Sequence, residues 1–243
     1  MIFYLLSPVL SYNLILIAAA VIPAIILMIH VYKADHLEKE SRSMVWRLVK
    51  AGIFSTLIAM VLEKTFGSLL NNLFSGSSTM YRILMFFVVV GIAEEGAKYF
   101  ELKLNTWNNV EFNCLYDGVL YAVFISMGFA LWENINYVMT YGIPTALVRA
   151  LTAIPGHGCF GVFMGVFYSA AKMYEIYGDM DKSRYCRILS VLVPVLIHGA
   201  YDYIATMNTG SNTNILFIVF ILILFFVSYK LVTSVSRHDR YIR

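Results

Sequence analysis

The chain has 243 residues, of which 60% are apolar and only 14% charged. A soluble domain carries nearer one-quarter charged residues, so the composition excludes an ordinary soluble globular protein and indicates a polytopic membrane protein. The net charge of +3 is small, and the three cysteines, Cys114, Cys159 and Cys186, are too few and too scattered for a disulfide framework or a cysteine-based zinc site.

Seven apolar stretches of about 20 residues or slightly more are each long enough to cross ~30 Å of hydrocarbon. The expected fold class is therefore all-α, a membrane helical bundle of about seven transmembrane helices forming one domain over residues 1–243. The N-terminus has no basic region and no small-residue cleavage site, and is expected to stay as the first span, residues 10–32, with Pro23 as a kink. A charged connector, 33–50, precedes the second span at 51–73, which Glu63 and Lys64 interrupt. The polar turn at 75–78 leads to the third span, 81–102. The fourth covers 115–139 and closes at Gly142-Ile-Pro144. The fifth covers 147–173, the sixth 188–207 and the seventh 215–232, with the polar turn 208–212 between the last two. No internal repeat or long linker divides the chain.

Lysine and arginine placement sets the expected orientation. With the 33–50 connector in the cytoplasm, only Lys64, Arg82 and Arg149 of the 18 basic residues lie toward the other face. That predicts an N-terminus outside and a C-terminus in the cytoplasm. The basic clusters then serve as topology signals, and no nucleic-acid partner is expected.

Polar residues within the spans carry the functional signal. The third span holds Glu94, Glu95 and Lys98. A single acidic group at the centre of a spanning helix costs about 2.5–3.5 kcal/mol on insertion scales, so two adjacent ones call for compensation in a watered site. Lys98 lies one helical turn from both, where it can neutralise one and leave the other to titrate. The fourth span has a ridge of small residues, Gly118, Ala122, Ser126 and Ala130, ending at Asn134 with Glu133 beside it. The fifth holds His157 ahead of Gly161 and Gly165. In the sixth, His198 and Asp202 share a helix face at i,i+4, which suits a carboxylate orienting an imidazole or two ligands of one metal. A lone intramembrane histidine is more often a satisfied core residue, and a lone asparagine more often interhelical glue. Here four consecutive spans (motif-bearing core 81–207) each contribute ionisable or amide groups.

The four motifs Glu94-Glu95-x-x-Lys98, Phe129-x-x-x-Glu133-Asn134, His157-x-x-x-Gly161 and His198-x-x-x-Asp202 occur in order over residues 94–202. In this the sequence resembles the PrsW family of intramembrane proteases, itself similar to the CAAX-processing and bacteriocin-processing membrane proteases. The resemblance implies a peptidase that cuts a single-pass membrane protein within the lipid bilayer, as in site-one cleavage of an anti-sigma factor. Two chemistries fit the residues. In the first, favoured by analogy with the wider superfamily, Glu94 or Glu95 activates a water, His157, His198 and Asn134 bind the water or the oxyanion, and no metal is needed. In the second, zinc is held by His157, His198, Glu133 and Asp202, although no His-Glu-x-x-His pairing is present. An ion- or proton-coupled transporter would need similar buried groups, but the absence of an inverted repeat counts against it. A non-catalytic scaffold fits the buried acidic groups poorly.

The second expectation is convergence: Glu94, Glu95, Glu133, Asn134, His157, His198 and Asp202 should surround one cavity. Span boundaries leave a gap of roughly 10–15 Å along the axis between the glutamate pair and Glu133. Helix tilt, a third span that begins deeper, or a helix break near Gly91 or Gly96 would each close it.

Overall fold

A computed structural model describes residues 8–74, 76, 78–207 and 211–242. Parts of the polar turns at 75–78 and 208–212 therefore lie outside the described residues. The helices are α1 (Pro8–Ala34), α2 (Arg42–Leu73), α3 (Thr79–Ile83), a π-helical stretch (Leu84–Val90), α4 (Gly91–Thr106), α5 (Leu115–Tyr141), α6 (Ile143–Leu151), α7 (Ala153–Ile176), α8 (Met180–Ala205) and α9 (Ser211–Arg237). Helix α3, the π stretch and α4 run on without interruption, and Thr152 alone separates α6 from α7. The described residues thus form seven rods, as the apolar segments predict. Six of them are long and apolar enough to cross a membrane. The remaining rod, 79–106, has the length but carries the charged groups of the site. The protein is an integral membrane helical bundle.

The observed helices exceed the apolar stretches because polar caps, not hydrophobicity, end them. Ser41 Oγ accepts from the Met44 amide and starts α2 nine residues before the expected span. Asp179 caps α8 through the Lys182 amide. Asp117 Oδ2 accepts from the amides of Asn113 and Cys114 and fixes the start of α5. Gly142, at φ 80°, ends α5 in a conformation that side chains with a Cβ rarely adopt. The two helices with a proline well inside them, α1 at Pro23 and α8 at Pro194, continue through the ring.

Helix α5 is buried nearly all round and forms the axis of the bundle, packed by α7, α2 and α1. The small-residue ridge does this work. A Cβ on Gly161 would lie 2.9 Å from Val123 Cα and 2.8 Å from Ser126 Oγ, so α7 meets α5 almost backbone to backbone. Gly165 meets Gly118 and Val119 one turn further along. On the opposite face of α5, Gly128 meets Gly52 of α2 in the same way. Close contact on both faces fixes Phe129, Glu133 and Asn134, at the far end of α5, against α2, α7 and α1.

Candidate active site

The π stretch places the glutamate pair. A π-helix is wider than an α-helix, advances less per residue and is found mostly at functional sites. It ends at Gly91, whose Cβ, if present, would lie 3.2 Å from Val195 O of α8. Gly199 of α8 faces Phe87 at similarly close range, 2.6 Å from a Cβ to the ring. The stretch and α8 therefore pack closely, Gly91 against the α8 backbone and Gly199 against the Phe87 ring. One turn later, Glu94 and Glu95 face His198.

Lys98 is the hub. Its side chain is wholly buried, and its Nζ lies 2.7 Å from Glu95 Oε1, 3.3 Å from Glu94 Oε2 and 3.2 Å from His157 Nδ1. An ammonium has three hydrogens to donate, and here each has a partner. The Phe129 ring supplies a fourth contact, 4.0 Å from Nζ to its centroid. Lysine side chains lean toward the N-terminus of their helix, which carries the ammonium from α4 up to His157 and bridges the axial gap expected from the span boundaries.

The two histidines extend the network in opposite directions. A lysine only donates, so His157 Nδ1 accepts, and its Nε2 donates to Glu133 Oε2 at 2.8 Å. That defines a neutral His157 with both nitrogens engaged. Glu133 in turn receives Arg149 Nη2 at 2.9 Å. His198 Nδ1 donates to Glu95 Oε1 at 2.8 Å, and its Nε2 lies 3.4 Å from Asp202 Oδ2. The Phe160 ring stacks on His198 at 4.7 Å between centroids and meets His157 edge-on, fixing both imidazoles. A continuous chain results: Arg149, Glu133, His157, Lys98, Glu95, His198, Asp202.

A cavity of about 550 Å³ lies against this chain, with Glu63, Glu94, Glu133, His157, His198 and Asp202 on its walls. Its lining comes from α2 from Thr56 onward, the π stretch and first turn of α4, the later halves of α5 and α8, Arg149 of α6 and the first turns of α7, so it lies toward the end of the bundle bearing the loop after α2, Gly142 and the loop after α8.

Two expected residues do not line it. Glu95 lies behind Glu94 with no exposed surface. Asn134 faces α1 and α6 instead: its Nδ2 donates to Ala20 O, and its Oδ1 accepts from Arg149 Nε. Asn134 thus holds α1 and Arg149 in place.

Two residues of the site escape sequence reasoning. Arg149 counts there only as an outer-face charge, yet its guanidinium joins Glu133 and Asn134 and lies 3.9 Å over the Tyr137 ring. Glu63 counts only as an interruption of the second span, yet it stands on the cavity wall. The available signal in both cases is the cost of an isolated charge in an apolar helix.

Residues 40–229 match the family described as PrsW family intramembrane metalloprotease. The chain belongs to the PrsW family. Protease PrsW of Bacillus subtilis (strain 168) is 34% identical over 196 residues, covering 79% of this chain and 83% of that protein. Protease PrsW of Halalkalibacterium halodurans is 32% identical over 227 residues, covering 93% and 99% respectively. Protease PrsW of Clostridioides difficile (strain 630) is 29% identical over 225 residues, covering 91% of each chain. No solved structure matches. The bundle is therefore that of a PrsW family intramembrane protease.

The metal in the family's description can be tested against the residues. Among the described residues, Glu94, Glu95 and His157 offer ligand atoms within 4.8 Å of one another. Their chemistry suits zinc. Their position does not, because the Lys98 ammonium already bonds to all three. In the other arrangement, His157, His198, Glu133 and Asp202, the Nδ1 atoms are engaged by Lys98 and Glu95, while the Nε2 atoms point at Glu133 and Asp202, ligands of the same set.

Proposed function

We propose that this PrsW family protease hydrolyses a peptide bond of a single-pass membrane protein with a water activated by Glu94, without a metal. The observation that carries this is the Lys98 ammonium at the centre of Glu94, Glu95 and His157: a fixed cation stands where a metal would otherwise balance the carboxylates. Family membership supports a peptidase over the transporter alternative.

Glu94 is the carboxylate facing the cavity, and it makes only a long contact to Lys98, at 3.3 Å. It is placed to take a proton from a water in the cavity as the water oxygen adds to the scissile carbonyl carbon. His198 carries a carboxylate on each ring nitrogen, an arrangement that accommodates an imidazolium, and it faces the same space. Its Nε2 N–H, held only loosely by Asp202 at 3.4 Å, turns to the oxyanion as it forms, while Nδ1 stays on Glu95. Glu94 then returns the proton to the departing amide nitrogen as the C–N bond breaks. Glu95 is a positioning residue that holds Lys98 and His198 at 2.7 and 2.8 Å. Glu133 and Arg149 hold His157 in the tautomer that accepts from Lys98.

Lysine and arginine placement supports an orientation with the N-terminus outside and the C-terminus in the cytoplasm. The cavity then lies toward the outer face, and substrate is cut near its extracytoplasmic boundary. The family resemblance supports site-one cleavage of an anti-sigma factor as the physiological reaction.

The test is metal analysis of purified, reconstituted protein together with peptide cleavage after exhaustive chelation. Full activity with far less than one metal ion per chain is expected. Activity that vanishes on chelation and returns with zinc would overturn the proposal.

A further inference from the structure

A second cavity, of about 710 Å³, runs along the outside of the bundle between α1, α2 and α5. Met28, Val49 and Phe124 form its floor and are buried, while Ile25 and Ile29 form an exposed wall. One end is different in kind. Lys33, in the last turn of α1, and Arg42, in the first turn of α2, face each other across it, with the exposed Trp46 one turn below. Among the described residues, no hydrogen bond, ion pair or ring contact engages Lys33 or Arg42. The three acids of the intervening connector do not pair with them either: Asp35 and Glu40 are buried, and the exposed Glu38 accepts from Asn113 Nδ2 at 3.3 Å.

The dimensions are those of one leaflet. From Val21 to Lys33 the groove follows α1 for roughly 18 Å, and from Arg42 to Ile53 it follows α2 for roughly 16 Å, at 1.5 Å per residue. Half of a ~30 Å hydrocarbon core is about 15 Å. The apolar part thus matches the depth of an acyl chain, and the two cations fall at headgroup level, where tryptophan also concentrates. Basic pockets between membrane helices are suited to anionic headgroups.

We propose that this groove binds an anionic diacyl phospholipid, with an acyl chain along the Met28, Val49 and Phe124 floor and the headgroup phosphate between Lys33 and Arg42. The proposal rests on a face of the bundle separate from the protease cavity and is independent of the chemistry there.

Trp46 is the reporter. Full-length protein is reconstituted in phosphatidylcholine vesicles containing an equal fraction of either phosphatidylglycerol or phosphatidylcholine with brominated acyl chains. Quenching is taken as the difference between the wild type and Trp46→Phe. The expected result is a preference for the anionic lipid on the order of 10-fold in relative association, from two basic residues near the surface. Lys33→Gln/Arg42→Gln, both exposed positions, should bring the ratio close to 1. Ile25→Phe, which fills the groove with both charges intact, should lower quenching by the anionic lipid. A wild-type ratio within about 2-fold, a ratio unchanged in the double variant, or full competition by soluble glycerol phosphate would each overturn the proposal, the last by showing a phosphate site without an acyl requirement.

Discussion

Glutamine substitutions at the two adjacent glutamates should separate catalysis from structure. Glu94→Gln removes the cavity-facing base. Its Oε2 is 3.3 Å from Lys98 and 3.8 Å from His198 Nδ1, both long, and the glutamine amide oxygen can still accept from Lys98, so this variant should lose less stability than Glu95→Gln. Positioned general bases contribute about 10²–10⁴-fold, and cleavage should fall by at least 10²-fold. Glu95→Gln acts differently. It removes the negative end of two buried bonds, at 2.7 Å to Lys98 and 2.8 Å to His198. Bonds to charged groups contribute about 1.5–3 kcal/mol each, and breaking a buried ion pair costs about 3–5 kcal/mol. For a chain of this size that corresponds to a fall in melting temperature on the order of 10 °C. Both variants would be purified, reconstituted and assayed for peptide cleavage and thermal unfolding. If Glu94→Gln kept more than about a tenth of the activity expected of an intact base, or if it were the less stable of the two, the division of roles would be wrong.

Three further outcomes follow from the geometry. Gly161→Ala drives a methyl against Val123 Cα at 2.9 Å, and overpacking of this kind costs about 1–3 kcal/mol; an unchanged melting temperature would show that α5 and α7 are not in such close contact. Burial pushes the Glu40 carboxyl up to about 8 and Asp35 up as well, so the fold holds their protons more tightly than the unfolded chain. That contribution is complete below the ordinary carboxylate range and is lost as pH rises toward about 8; unfolding followed across this window should show stability falling with pH, and Glu40→Gln should flatten the fall. Tyr137→Cys, at the cavity rim, should react with a membrane-impermeant thiol reagent added outside intact cells, since Cys114, Cys159 and Cys186 are all buried; labelling only from the inner face would reverse the orientation.

The number of rods was legible in the sequence because a helix that crosses a bilayer must be apolar over a fixed length. The starts of α2 and α8 were not, because Ser41 and Asp179 cap helices in polar stretches that hydropathy reads as connectors. The motif residues were legible through the expense of charge in hydrocarbon, and the glycine ridge through its spacing. Which way each polar side chain turns was not. Glu94 and Glu95 are neighbours in sequence, and only the packing of α4 against α8 decides that one faces the cavity and the other lies behind it. Asn134 and Glu133 divide in the same way, one toward Ala20 and the other toward His157. The π stretch has no signal in the run Leu84–Val90, which is uniformly apolar. It is recognised only where Gly91 and Gly199 let α8 come close.

The network also shows why chemistry and assembly cannot be separated in this bundle. Each link of the chain from Arg149 to Asp202 joins a charged or polar group to the next, and the links pass through α6, α5, α7, α4 and α8 in turn. In a medium without water, a carboxylate or ammonium left unpaired costs several kcal/mol, so each helix has a reason to sit where its neighbour's partner is. The most demanding member is Lys98, which has no exposed surface and three bonds to three acceptors. A lysine is delivered by the chain itself, so the site is balanced as soon as α4 meets α7 and α8. Glu94 makes the longest of the three contacts and is the carboxylate of the pair that lines the cavity, which is why the proposed chemistry assigns it the water.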